Sequence, residues 1–178
     1  MQAIAGGPSR MSSHVVSFLQ WLHNTGFSAW LRDSMWAEPI IETIHVLTLT
    51  LFFGFAVLLD LRLLGVALRS RRVSEVLNQL NPWLIAGFLV LIASGTLLFC
   101  GDPVAFYSTI FFKIKMVLLL VAGLNVLVFS STIARKLDEW DLDSRTPAGA
   151  KIAAIVSLVF WVAIIAAGRA IAYALPPP

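Results

Sequence analysis

Ionisable side chains set into apolar sequence are informative because each costs about 2.5–3.5 kcal/mol to place in a membrane-spanning helix. Glu38, Glu42 and His45 follow i, i+4, i+7 spacing, which puts all three on one side of a helix, and Thr48 extends the stripe one turn deeper. Lys113 and Lys115 open a later apolar run, and Arg169 lies near the end of the last. Opposite charges at one depth in a low dielectric attract, so Glu42 is expected to pair with Lys115 or Arg169. The competing expectation is that Lys113, Lys115 and Arg169 each snorkel to headgroups. Glu42, several residues inside its run, has a shorter reach.

His45 is the only histidine inside an apolar run, since His14 and His23 precede the first one. It reads either as a hydrogen-bonded bundle residue or as a ligand. Copper would find soft partners in Met116, Cys100 and Met35, with His45 and Met116 as the metal pair, although packing alone accounts for each Met and Cys. Haem b is the other cofactor to consider, held by His45 with Glu42, Lys115 and Arg169 around it and a cation meeting its propionates. Its second axial ligand would come from His23, His14, Met116 or another subunit. Asn125, ten residues beyond Lys115, is expected to hydrogen-bond another helix. Asp60 and Arg62 read as a solvated boundary pair, Trp161 as bundle packing, and Gly54, Gly87, Ser94, Gly95 and Gly123 as close-packing points.

These residues can meet only if helices bring them to one depth. A helix needs about 20 apolar residues to cross the hydrocarbon layer and satisfies its backbone without neighbours. Four runs qualify, at about 40–59, 83–100, 114–134 and 152–175. Pro39 and Pro82 sit where a helix start tolerates a missing N–H, Asn81 is placed to cap the second span, and Gly101-Asp102-Pro103 stops it. The sequence shows neither strand-like alternation nor a convincing internal repeat. The fold class is therefore an all-α membrane protein, an up-down four-helix transmembrane bundle over 37–178, preceded by one or two short interfacial helices within 1–36. Those helices fall at Val15 to Leu22 and Phe27 to Leu31, where Phe18, Trp21, Phe27 and Trp30 sit among polar residues. Trp36, Tyr107 and Tyr173 would mark the outer boundary, and Trp83 and Trp140 the inner one.

Composition agrees. Apolar residues make up 58% of the 178, and charged residues only 13%, against about 45–50% and 25% in soluble domains. The excess of 13 Lys and Arg over 10 Asp and Glu forms no dense basic face with spaced aromatics, which argues against nucleic acid as a partner. The basic residues sort by connection: Arg62, Arg69, Arg71, Arg72, Arg135, Lys136, Arg145 and Lys151 on one side; Arg10, Arg32, Lys113, Lys115 and Arg169 on the other. By the positive-inside bias the first group is cytoplasmic and both termini lie outside the cytoplasm. The single cysteine allows no internal disulfide, and no zinc spacing occurs. Met1 to Arg10 has no signal-peptide core, so the first span is expected to act as its own uncleaved insertion signal.

The run Trp36-Ala37-Glu38-Pro39-Ile40-Ile41-Glu42-Thr43-Ile44-His45-Val46-Leu47, followed by Leu59-Asp60-Leu61-Arg62-Leu63-Leu64-Gly65, resembles an uncharacterised family of small bacterial four-span inner-membrane proteins. So do Lys115-Met116, Ala122-Gly123-Leu124-Asn125, Trp140-Asp141 and Gly168-Arg169-Ala170-Ile171-Ala172-Tyr173. The likeness covers most of the chain from Trp36 onward and implies four spans but no established activity. Lys115, an apolar stretch and Asn125 more distantly resemble a span of the copper-resistance protein D family. Members of the closer family often place a histidine just after the Asn-containing stretch, where this chain has Ser130 and Ser131; that departure counts against an intramolecular bis-histidine haem.

Two functional classes follow. In one, a polar site in the outer half of the bundle, centred on Glu42, His45, Lys115 and Arg169, holds haem b or copper or serves proton or solute movement. In the other, the chain is a non-catalytic scaffold or accessory subunit in which the same residues join helices or dock a partner, a second copy or a membrane complex. An intramembrane hydrolase finds no motif: Gly-x-Ser-x-Gly, His-Glu-x-x-His and paired catalytic aspartates are missing.

Overall fold

The computed structural model describes residues 10–133, 137, 141 and 146–174. Arg135, Lys136, Trp140, Arg145 and Leu175, which entered the expectations above, lie outside the described residues. Two short helices come first, α1 (Arg10–His23) and α2 (Gly26–Asp33), followed by α3 (Ala37–Leu64) and α4 (Val73–Gly101). A single-turn helix, α5 (Pro103–Ser108), leads into α6 (Ile110–Val128), which ends in a π-helical turn, Phe129–Ile133; α7 (Ala148–Ala174) closes the chain. Four of these are long and apolar enough to cross a membrane. The chain is thus a multi-pass membrane protein built as a four-helix bundle with short helices in front.

The central pair is α3 and α7; α4 packs along α3, and α6 along α7. One apolar core layer draws on all four: Phe52, Leu91, Ala122, Trp161 and Ile164. Trp161 is buried there, its ring edge-on to Phe52 with centroids 4.7 Å apart. A second layer nearer the α3–α4 loop holds Leu63, Val73, Ala150 and Ala154. We call the end carrying α1, α2 and α5 the cap end, and the end carrying the α3–α4 connection the loop end.

Helix termini leave unpaired amides and carbonyls that must find partners. At the loop end α3 stops at Gly65, whose φ of 73° favours glycine; its N–H reaches Arg62 O and Val66 N–H reaches Leu61 O, the paired bonds of a left-handed C-cap. The second span starts earlier than its sequence implied. Asn81 does not cap it, and Pro82 lies inside a helix that begins at Val73. The reason is a carboxylate from a distant loop. Asp141 Oδ1 accepts from Val73 N (2.7 Å), Ser74 N approaches both carboxylate oxygens, and the Ser74 hydroxyl donates to Oδ2. Negative charge at a helix start also meets the positive end of its dipole. Pro82 is exposed, so the hydrogen bond it cannot make is lost on the outside of the bundle.

At the cap end the two leading helices serve α4. Ser28 Oγ donates to Cys100 O (2.7 Å) and Arg32 Nη1 to Gly101 O (2.9 Å), so the last carbonyls of α4 are satisfied from α2. The same guanidinium donates through Nη2 to His23 O (3.0 Å), tying α1 to α2. Asp102 stops α4 and caps α5 by accepting from Ala105 N, with Pro103 at the first helical position, as the Gly-Asp-Pro sequence implied.

Candidate functional site

His45 turns from α3 toward α4, where its Nδ1 lies 2.8 Å from Ser94 Oγ. The Ser94 hydroxyl has one proton and directs it to Val90 O at 2.6 Å. Ser94 therefore accepts from His45 Nδ1–H, which leaves the lone pair on Nε2. No hydrogen-bond partner occupies Nε2 among the described residues. Gly95 supplies the space: a Cβ there would come 3.3 Å from His45 Cε1.

Lys115 comes from α6 and lies against α7, where a Cβ on Gly168 would meet its Nζ at 3.4 Å. It is half-buried, and its ammonium is near enough to bear electrostatically on the His45 ring. Each span thus contributes to one polar centre in the cap-end half: His45 from α3, Ser94 and Gly95 from α4, Lys115 from α6, Gly168 from α7. Thr48 is half-buried one turn below His45.

The expected ion pairs do not form. Glu42 is exposed and bridges neither Lys115 nor Arg169; the salt bridges among the described residues are His23–Asp102 and Arg71–Glu75. Glu42 shares a side of α3 with Glu38, which borders a shallow recess with Leu97 and Leu98 of α4. That side turns toward α4, whereas Lys115 lies against α7. Arg169 is exposed and donates to Tyr173 Oη (3.2 Å), with its guanidinium 5.3 Å from that ring. Lys113, likewise exposed, sits 4.8 Å from the Tyr107 ring. These two exposed cations lie beside tyrosines of their own surfaces, and of the three only Lys115 is half-buried.

The residues weighed for metal are scattered. Met116 follows Lys115 on the exposed side of α6, Met35 is 81% exposed, and Cys100 is half-buried. His14 is exposed, while His23 is engaged with Arg32 and Asp102. No group of three His, Cys, Asp or Glu side chains able to hold a metal occurs among the described residues.

Asn125 Nδ2 donates to Ala153 O of α7 (3.1 Å), the interhelical bond its position implied. Of the glycines, Gly87 and Gly95 are close-packing points, against Phe52 and His45; a Cβ added at Gly54 or Gly123 would meet no other side chain or helix within 4 Å. Asp60 corrects the sequence reading most. It is 5% exposed, not a solvated partner of Arg62, whose Nε instead donates to Arg71 O (2.7 Å). The signal was present: Leu49, Phe52, Ala56, Asp60 and Leu63 continue the spacing of His45 along one helix side, so Asp60 falls on the core-facing stripe.

A family model described as "Family of unknown function (DUF6644)" matches residues 18–174. No match was found among curated proteins or among solved structures.

Proposed function

We propose that this chain, which belongs to that family of unknown function, moves protons across the bacterial inner membrane, with the His45–Ser94–Lys115 centre as a station on the path. One observation carries the reading. Among the described residues, a histidine whose Nε2 has no hydrogen-bond partner and a lysine share the bundle interior, and no carboxylate is bridged to either. Ionisable groups inside a span are costly, and a pair held without counter-charge is suited to gaining and releasing a proton rather than to clamping helices. An imidazole oriented through Nδ1 presents Nε2 as the acceptor. The Lys and Arg distribution favours an orientation with the loop end in the cytoplasm and the cap end outside.

Haem b or copper has less support, because Glu42, Arg169 and Met116 are exposed and no group of three His, Cys, Asp or Glu side chains able to hold a metal occurs among the described residues. The scaffold class is separated by mutation. In proteoliposomes with an internal pH-sensitive dye, the wild-type chain should dissipate an imposed pH gradient. His45→Ala and Lys115→Met should each slow this at least about tenfold, roughly 1.4 kcal/mol of barrier, while remaining folded and inserted. Equal rates for wild type, both variants and empty vesicles would overturn the reading. A Soret band or stoichiometric copper in purified material would replace it with the cofactor one.

A further inference from the structure

The bundle interior alternates in polarity. Below the His45 centre comes the apolar layer of Phe52, Leu91, Ala122, Trp161 and Ile164; at the loop end comes that of Leu63, Val73, Ala150 and Ala154. Between them, on α3 and α7, the sequence places Asp60 and Ser157. The Asp60 carboxyl is enclosed, its Oδ2 has no hydrogen-bond partner among the described residues, and the Ser157 hydroxyl approaches it from α7. Asn125 uses its amide nitrogen on Ala153 O.

We infer that Asp60 and Ser157 form a proton-binding site in the loop-end half of the bundle, with Asp60 held as the un-ionised acid. The charged groups of the elements packed here, among the described residues, turn elsewhere: Arg62 donates to Arg71 O, Glu75 bridges Arg71, and Lys151 is exposed. A carboxylate without a counter-charge in such surroundings is strongly disfavoured. An orphaned oxygen is tolerable as the carbonyl of a neutral acid but not as half of an anion. A metal cation is the wrong occupant. Hard cations take six or more oxygens, whereas among the described residues one carboxyl and one hydroxyl converge, and the layer beneath is closed by Ala150 and Ala154, both 0% exposed.

The site lies on the same core-facing side of α3 as His45, about 22 Å along the axis at 1.5 Å per residue. It extends the proton-movement reading to the other half of the bundle. Its test reads protonation rather than flux, so either can fail alone. Infrared spectra of the full chain in lipid at neutral pH, with and without heavy-carbon-labelled aspartate, should contain an un-ionised carboxylic carbonyl band that moves on labelling. The band should vanish in Asp60→Asn and shift in Ser157→Ala. A labelled wild type without it, or a band that persists in Asp60→Asn, overturns the inference. Should Asp60→Asn fail to fold, the labelled wild type and Ser157→Ala decide: a band unmoved by loss of the hydroxyl refutes the paired site.

Discussion

His45 is held by two neighbours of opposite kind, a hydroxyl that fixes its tautomer and a glycine that makes room for its ring. Gly95→Ala would place a methyl 3.3 Å from His45 Cε1, so the ring must move and the bond to Ser94 lengthen. We expect a loss of about 1 kcal/mol, the lower end for overpacking, read by thermal unfolding in detergent. Gly54→Ala and Gly123→Ala, with no other side chain or helix within 4 Å of the added carbon, should cost nothing by steric conflict. The position of His45 within a span was legible from its flanking residues, and so was the bond from Asn125. Its partnership with Ser94 was not, because that depends on the register between α3 and α4, which neither helix encodes alone. Charge type misled for Glu42: complementary signs at one depth say nothing about which neighbour each helix side meets.

Individual helices in this protein are finished by residues from elsewhere in the chain. Asp141 holds the first amides of α4, and Ser28 and Arg32 hold its last carbonyls. Asp141→Ala should cost about 1 kcal/mol, in the range for losing an N-cap. It should also raise amide exchange at Val73 and Ser74 selectively, as hydrogen–deuterium exchange would detect. Arg32→Ala should cost a similar amount, about 1–2 kcal/mol for hydrogen bonds to a charged group that is partly exposed, and should open α1 and α2 to limited proteolysis while the spans stay protected. The presence of the four spans and two leading helices was readable from hydropathy, but the start of α4 was not. Pro82 looked like a beginning because local rules place proline there, whereas the cap that fixes the boundary is remote in sequence.

The molecule as a whole is organised about α3 and α7, which lie between the flanking helices and carry the buried aromatic pair. Trp161→Ala should therefore loosen all four spans together, with a loss of about 3 kcal/mol. A single cooperative transition, shifted to lower temperature in every probe, is the expected result; loss confined to one helix pair would contradict a shared core. Apolar composition and run length made the bundle legible, since lipid leaves few alternatives to helices. The layering was hidden because Asp60 looked like a boundary residue. The bond between Asp141 and the head of α4 also bears on biogenesis. Val73 and the carboxylate it needs are separated by 68 positions, so a nascent hairpin of α3 and α4 emerges from the ribosome with one rod unfinished. It stays so until the connection after the third rod has been translated, and a chain terminated earlier would inherit the frayed end.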